Sequence, residues 1–339
     1  MSQQPINELD FGDSTESENE VKDETRQAIK KFCQSLAKEK ITEDKILDLK
    51  NTIMLSNDQN DYIKYLTVNV QHYNYKTWEQ CYPDCKVYLK PLLINKSWLK
   101  FINQTSGKPY FRELEIKLSS YLYEKVNISP RPQLIFNAFN TLSLDKVKVV
   151  ILGQDPYFGQ QKIDKAMIPQ ACGYSFSVPY GYPKPPSLSN IYKNLQVNGH
   201  IKDIPKTGCL LGWILQGCLM INAALTTTIG IAGAHQGSWK QFAKDLIDYL
   251  NHSCQNIVFV AWGAKAFEIC QNIDRNRHCL IVSSHPSGLS ATKGMSAYCH
   301  VEKRKIDYPS FMEVDHFGRI NTYLKSKGKH KIFWNLLEF

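Results

Sequence analysis

Residues Val149 to Gly159 read Val-Val-Ile-Leu-Gly-Gln-Asp-Pro-Tyr-Phe-Gly, which sets an amide (Gln154), a carboxylate (Asp155) and a phenol (Tyr157) on a loop closed by Pro156 and Gly159. The loop follows a short β-branched run of the kind buried in parallel sheets. Ligands of open α/β sheets sit outside the carboxyl ends of such strands. Asp and Gly also serve ordinary strand-to-helix turns, so this segment alone leaves site and plain turn balanced. Three further strand-type runs end in polar or Gly-containing loops, at Asn222, at Gly263 and at Ser284-His285. If the strands are parallel, all four loops gather at one edge. They bring together one acid (Asp155), one imidazole (His285), two amides (Gln154, Asn222) and two rings (Tyr157, Phe176), with hydroxyls at Ser187, Ser287 and Ser290.

That set suits attack by water with an anionic leaving group. Asp155 would orient the water or stabilise a cationic sugar, and His285 would stabilise the departing negative charge. Asn222 offers a donor beside an acceptor, the pattern that reads an amide-like base edge. Phe176 would stack on that base while a basic surface holds phosphates. No Cys, Lys or Ser lies in an evident nucleophile motif, and no Gly-rich phosphate cradle is present. One Asp and one His make an incomplete metal set. No metal or cofactor is therefore expected, and the chemistry points to hydrolysis of a base from DNA.

The elements that must position these residues alternate. Val147–Leu152, Leu219–Asn222, Ile257–Trp262 and Cys279–Ser283 read as strands. Ser187–Gln196, Leu210–Gln216, Ser238–Leu250 and Ala264–Asn272 read as helices. This succession predicts an α/β fold, a three-layer α/β/α sandwich around a four-stranded parallel sheet. Residues 1–28 are polar and acidic and read as a disordered tail. Residues 29–95 form an N-terminal extension, expected to be mostly helical because Ile29, Phe32, Cys33 and Leu36, then Ile46, Leu47, Leu49 and Ile53, recur at helical spacing; 73–95 are aromatic and irregular. Residues 96–339 make the main domain.

The 339 residues carry a formal net charge of +9. The first 30 hold eight acids and three bases, leaving 38 bases against 24 acids in the remainder. A body that basic suits a polyanion, nucleic acid being the commonest. No apolar run approaches the ~20 residues of a membrane-spanning helix, so no membrane partner is expected. The polar, acidic start resembles neither a secretory signal nor a transit peptide, and ten scattered cysteines read as reduced thiols. The expected location is intracellular, wherever DNA is, and not secreted.

Gly153-Gln-Asp-Pro-Tyr157, Leu219-Met-Ile-Asn222 and His285-Pro-Ser-Gly-Leu-Ser290 resemble the motifs of the first family of uracil-DNA glycosylases. Gly173-Tyr-Ser-Phe-Ser-Val178, Pro185-Pro-Ser-Leu-Ser-Asn-Ile-Tyr192 and Trp262-Gly263 follow the same pattern in order. The resemblance implies that Asp155 activates water or stabilises the cation, and that His285 stabilises the uracil anion through O2. It implies that Asn222 bonds the O4/N3 edge, that Tyr157 excludes the thymine methyl, that Phe176 stacks on the extruded base and that Gln154 assists at the pocket floor. Ser187 in the loop with Pro185 and Pro186, Gly263, Ser287 and Ser290 would hold phosphates, and Leu289 would wedge into the gap in the duplex. The substrate would be uracil-containing DNA, single- or double-stranded. The protein is expected to be a monomer, with residues 1–95 open between binding a replication or repair protein and packing on the domain.

Several positions depart from that pattern. Phe158 stands where the family has a His, Gly288 where it has a Pro, and Ala264 where it has a phosphate-binding Ser. Insertions are expected near 160–170, read as a passive loop, and near 300–315, which carries Lys303-Arg304-Lys305. These departures motivate the alternative of a non-catalytic DNA-binding scaffold. The retained Asp155, Asn222 and His285 favour the enzyme.

Overall fold

The computed structural model describes residues 27–31, 34, 75–163 and 166–336. The acidic tail and most of the helices expected before residue 73 lie outside these residues; of that stretch, 27–31 and 34 are helical. In chain order the strands are β1 (Val149–Gly153), the pair β2 (Gln160–Ile163) and β3 (Ala166–Pro169), β4 (Cys218–Asn222), β5 (Val258–Trp262), β6 (Cys279–Ser283), and the pair β7 (Met295–Cys299) and β8 (Arg304–Tyr308). A two-residue antiparallel pairing also joins Ile128–Ser129 to Thr227–Thr228. The longer helices are α1 (Leu99–Ser106), α2 (Pro109–Tyr123), α3 (Pro186–Val197), α4 (Gln236–Ser253), α5 (Ala264–Cys270) and α6 (His316–Ser326).

The central sheet has the order β4-β1-β5-β6 and every pairing in it is parallel. β1 and β5 are buried along their whole length, which explains their unbroken apolar character. The chain runs from β1 outward to β4, then crosses back to β5 on the other side of β1. The four carboxyl ends therefore align beside this change of direction: Gly153 pairs with Asn222, and Trp262 with Ser283. A crevice forms where the connections diverge.

Aromatic rings fill both layers flanking the sheet. On one side Phe101 of α1 meets Phe242 of α4 at 5.4 Å, and Trp239 meets Phe242 at 5.3 Å. On the other, Tyr192 of α3 lies 6.2 Å from Trp213, which lies 6.1 Å from Phe317 of α6. The helix expected over Leu210–Gln216 is a single turn, Leu211–Ile214. Gly217, at φ +113°, ends it: a Cβ there would sit 2.7 Å from the Lys146 carbonyl oxygen, so the chain turns left-handed into β4.

Three segments that the sequence left open take a definite place in the fold. Trp78, Tyr82, Leu89, Leu92 and Leu93, inside the segment assigned to the N-terminal extension, are buried in the same apolar core as the central sheet. Their irregular spacing hid this, because a segment that winds over a core shows no period. Within the 160–170 segment, β2 and β3 pair antiparallel. Arg131 Nη2 donates to the Met167 carbonyl at 3.2 Å, and the Tyr182 hydroxyl donates to the Ile168 carbonyl. Residues 300–315 include β8, which pairs antiparallel with β7.

Candidate active site

The sheet edge is built around close approaches that require glycine. A Cβ on Gly153 would lie 2.2 Å from Asn222 Oδ1 and 2.8 Å from Ser175 Cβ, so the end of β1 must be bare for the Asn222 amide to lie across it. Gly263 has φ +93°, and a Cβ there would sit 3.2 Å from His285 Cβ. Past Gly153 the loop stays tied to the neighbouring chain: Ala223 N–H donates to the Gly153 carbonyl at 2.9 Å, and Ala224 N–H to the Gln154 carbonyl at 3.0 Å.

Asp155 is held on one oxygen only. Gln154 Nε2 donates to its Oδ2 at 2.8 Å, and Gln236 Nε2 donates to the same oxygen. Oδ1 is buried and has no hydrogen-bond partner among the described residues. A buried carboxylate oxygen without a donor is costly unless something polar joins it, and a water aligned for attack fits that position. Burial raises the Asp155 pKa above the usual carboxylate value, against the lowering effect of Gln154, Gln236 and Lys265. The carboxylate is thus a stronger base than an exposed aspartate.

His285 is in the complementary state. The Ser287 backbone N–H donates to its Nδ1 at 3.1 Å, so Nδ1 is the acceptor and the ring proton is on Nε2. Burial lowers its pKa to about 4. A neutral imidazole therefore presents one N–H donor at neutral pH. No hydrogen bond joins Asp155 to His285; each is held by partners of its own.

Beside His285 lies a wall of aromatic rings. Phe176 adopts φ +60°, a left-handed conformation rare for an aromatic residue. Its ring packs 5.3 Å from Trp262 and 5.9 Å from His285. The Tyr157 hydroxyl points at the Phe176 carbonyl, 3.4 Å away. Trp262 is fixed in turn by Nε1 donation to Nδ1 of the buried His316 at 3.2 Å. No described residue hydrogen-bonds the Asn222 amide, so its donor and acceptor both remain for a ligand.

The outer rim is joined through Asn190 of α3, whose Nδ2 donates to the Pro286 carbonyl at 2.9 Å. This brings Pro185, Pro186 and Ser187, at the start of α3, beside the His285–Ser290 loop. Pro185 occupies the capping position, and Ser187 is the second helical residue with a hydroxyl that caps nothing. Ser287 and Ser290 share a tight turn, with Ser290 N–H donating to the Ser287 carbonyl at 3.0 Å. Leu289 is 87% exposed at its tip and Phe158 is 45% exposed on the neighbouring loop.

Sequence reasoning missed Gln236, Lys265 and Asn190. Gln236 stands 81 residues from Asp155, and only its place at the start of a helix, next to His235 and three residues before Trp239, hinted at a role.

This is the arrangement of an α/β enzyme that attacks with water and stabilises a departing anion. Residues 139–307 match the uracil DNA glycosylase superfamily. A probable uracil-DNA glycosylase of Acanthamoeba polyphaga mimivirus is 47% identical over 274 residues, covering 80% of this chain and 73% of its own. The Bacteroides thetaiotaomicron uracil-DNA glycosylase is 40% identical over 242 residues, 71% of this chain and 98% of its own. The crystal structure of mimivirus uracil-DNA glycosylase superposes with a TM-score of 0.75 at 48% identity, covering 79% of this chain and 99% of that one. The chain belongs to the uracil-DNA glycosylase family.

Proposed function

We infer that this chain is a uracil-DNA glycosylase, which hydrolyses the N-glycosidic bond between uracil and deoxyribose in DNA and leaves an abasic site. The observation that carries this reading is the pairing of a half-satisfied carboxylate with a neutral imidazole on opposite loops of one crevice. Asp155 Oδ1 aligns the attacking water and faces the positive charge that develops on the sugar. His285 Nε2–H donates to O2 of uracil as the bond breaks, so the base leaves as an anion without prior protonation. A neutral donor suits this step because the proton stays on nitrogen while negative charge builds on oxygen.

Specificity follows from the same wall. The Asn222 amide reads the O4/N3 edge and rejects cytosine, whose amino group meets the amide NH2 as donor against donor. Tyr157 closes the space a thymine methyl would need, and Phe176 stacks on the base. The target nucleotide reaches this pocket by flipping out of the stack. Leu289 fills the vacated space, while Ser187, Ser287, Ser290, Gly263 and the Pro185-Pro186 turn hold the backbone. Gln154 acts by holding Asp155. Neither metal nor cofactor takes part, and the enzyme is monofunctional, releasing the base without cleaving the strand.

The functional domain extends back to Tyr75, since residues 75–95 share its core. It works as a monomer on single- or double-stranded DNA wherever DNA is found. No described helix is long and apolar enough to cross a membrane.

The test is uracil release from a uracil-containing oligonucleotide in EDTA, with Asp155→Asn in parallel. Release that survives chelation and falls by roughly 10²–10⁴ in the variant supports the reading. A folded wild type that binds the DNA without releasing uracil overturns it in favour of a scaffold.

A further inference from the structure

Gln236 belongs to none of the motifs that mark the site, yet it makes one of the two hydrogen bonds to Asp155. Its own orientation is set from outside. Lys265 Nζ, on α5, donates to Gln236 Oε1 at 2.9 Å. An amide whose oxygen faces an ammonium must turn its NH2 the other way, toward the carboxylate. The backbone carrying it is fixed on both sides. His235 stacks on Tyr121 at 4.7 Å, and its ring nitrogens meet the Thr226 and Thr228 hydroxyls at 2.9 and 3.1 Å. Trp239 Nε1 donates to Thr226 Oγ1 at 2.7 Å. Gly233 clears the path: at φ +71°, a Cβ on it would lie 2.7 Å from Gln236 Nε2 and 3.8 Å from Asp155 Oδ2.

We propose that Gln236 is a positioning residue for Asp155, its amide oriented by Lys265 so that Oδ2 is occupied and Oδ1 is the oxygen presented to water. A lysine in direct contact with the carboxylate would weaken it as a base; the interposed amide fixes the rotamer and leaves more of the base strength. The groups that reach Asp155 are Gln154 on its own loop, Gln236 on α4 and the Lys265 ammonium on α5. This inference rests on the water-aligning role proposed for Asp155.

Gln154, Gln236 and Lys265 also line a cavity of about 270 Å³. Gln236→Ala therefore enlarges an existing space rather than opening one in the core. Removing one hydrogen bond to a charged group should lower kcat about tenfold, with KM within about twofold. The acid limb of kcat should move to higher pH, because the ionised carboxylate has lost a donor. Gln236→Asn, one methylene short, should match Gln236→Ala. Lys265→Met, an exposed change outside the packed interior, should shift both quantities the same way by less. In the Asp155→Asn background, Gln236→Ala should add nothing. A wild-type kcat and acid limb in Gln236→Ala, or a lower kcat with the acid limb unmoved, overturns the proposal while Asp155→Asn still collapses. Release that survives in Asp155→Asn overturns both this proposal and the reading beneath it.

Discussion

Gly153→Ala adds one carbon where the sheet edge has no room for it. The new Cβ would sit 2.2 Å from Asn222 Oδ1 and 2.8 Å from Ser175 Cβ. Ser175 cannot yield easily, since its Oγ donates to the Ile151 carbonyl at 3.0 Å and its N–H to the Met220 carbonyl at 3.2 Å. The Asn222 side chain, with no hydrogen-bond partner among the described residues, must move. Overpacking of this kind costs about 1–3 kcal/mol, a fall in Tm of roughly 5 °C in a domain of this size. The displaced amide forfeits two hydrogen bonds to the uracil edge at about 0.5–1.5 kcal/mol each. At about 1.4 kcal/mol per decade, kcat/KM should fall roughly tenfold to a hundredfold. Single-turnover release from a single-stranded oligonucleotide, read beside thermal unfolding, measures both effects. Gly237→Ala is the control: a Cβ there meets nothing within 4 Å, so rate should hold and Tm should stay level or rise. A Gly153→Ala enzyme with wild-type kcat/KM and Tm would refute the claim that this bare position seats Asn222.

Two other outcomes follow from exposure and burial. Leu289→Ala, at a position 87% exposed, should leave Tm unchanged and slow release from duplex about tenfold, since extrusion costs a few kcal/mol, while single-stranded substrate is little affected; equal losses on both substrates would remove Leu289 as a wedge. Acid should destabilise the fold. Burial lowers His235, His285 and His316 to about 4, so below about 6.5 the unfolded chain binds protons that the native state refuses. Stability is then lost as pH falls from about 6.5 toward 4, by up to about 3 kcal/mol per histidine. Glu115, raised by burial to about 7, gains stability on acidification and offsets roughly one of them. Tm should drop between pH 6.5 and 4.5, more steeply in Glu115→Gln; a level or rising Tm would contradict the burial of these rings.

The sequence alone determined the element types of the sheet and the chemical groups at its edge. Unbroken apolar runs such as Val149–Leu152 mark strands buried on both faces, and the loops after them carry Asp155, Asn222 and His285 in the chain itself. These are local properties, and local patterns suffice to read them. Only the tertiary structure decided the working state of those groups. Which oxygen of Asp155 is free depends on Gln236, brought from 81 residues away by the packing of α4. The tautomer of His285 depends on a backbone N–H aimed at its ring. Residues 75–95 joined the core without any period to announce it. Contacts between elements depend on how whole faces pack, and no window along the chain contains both partners.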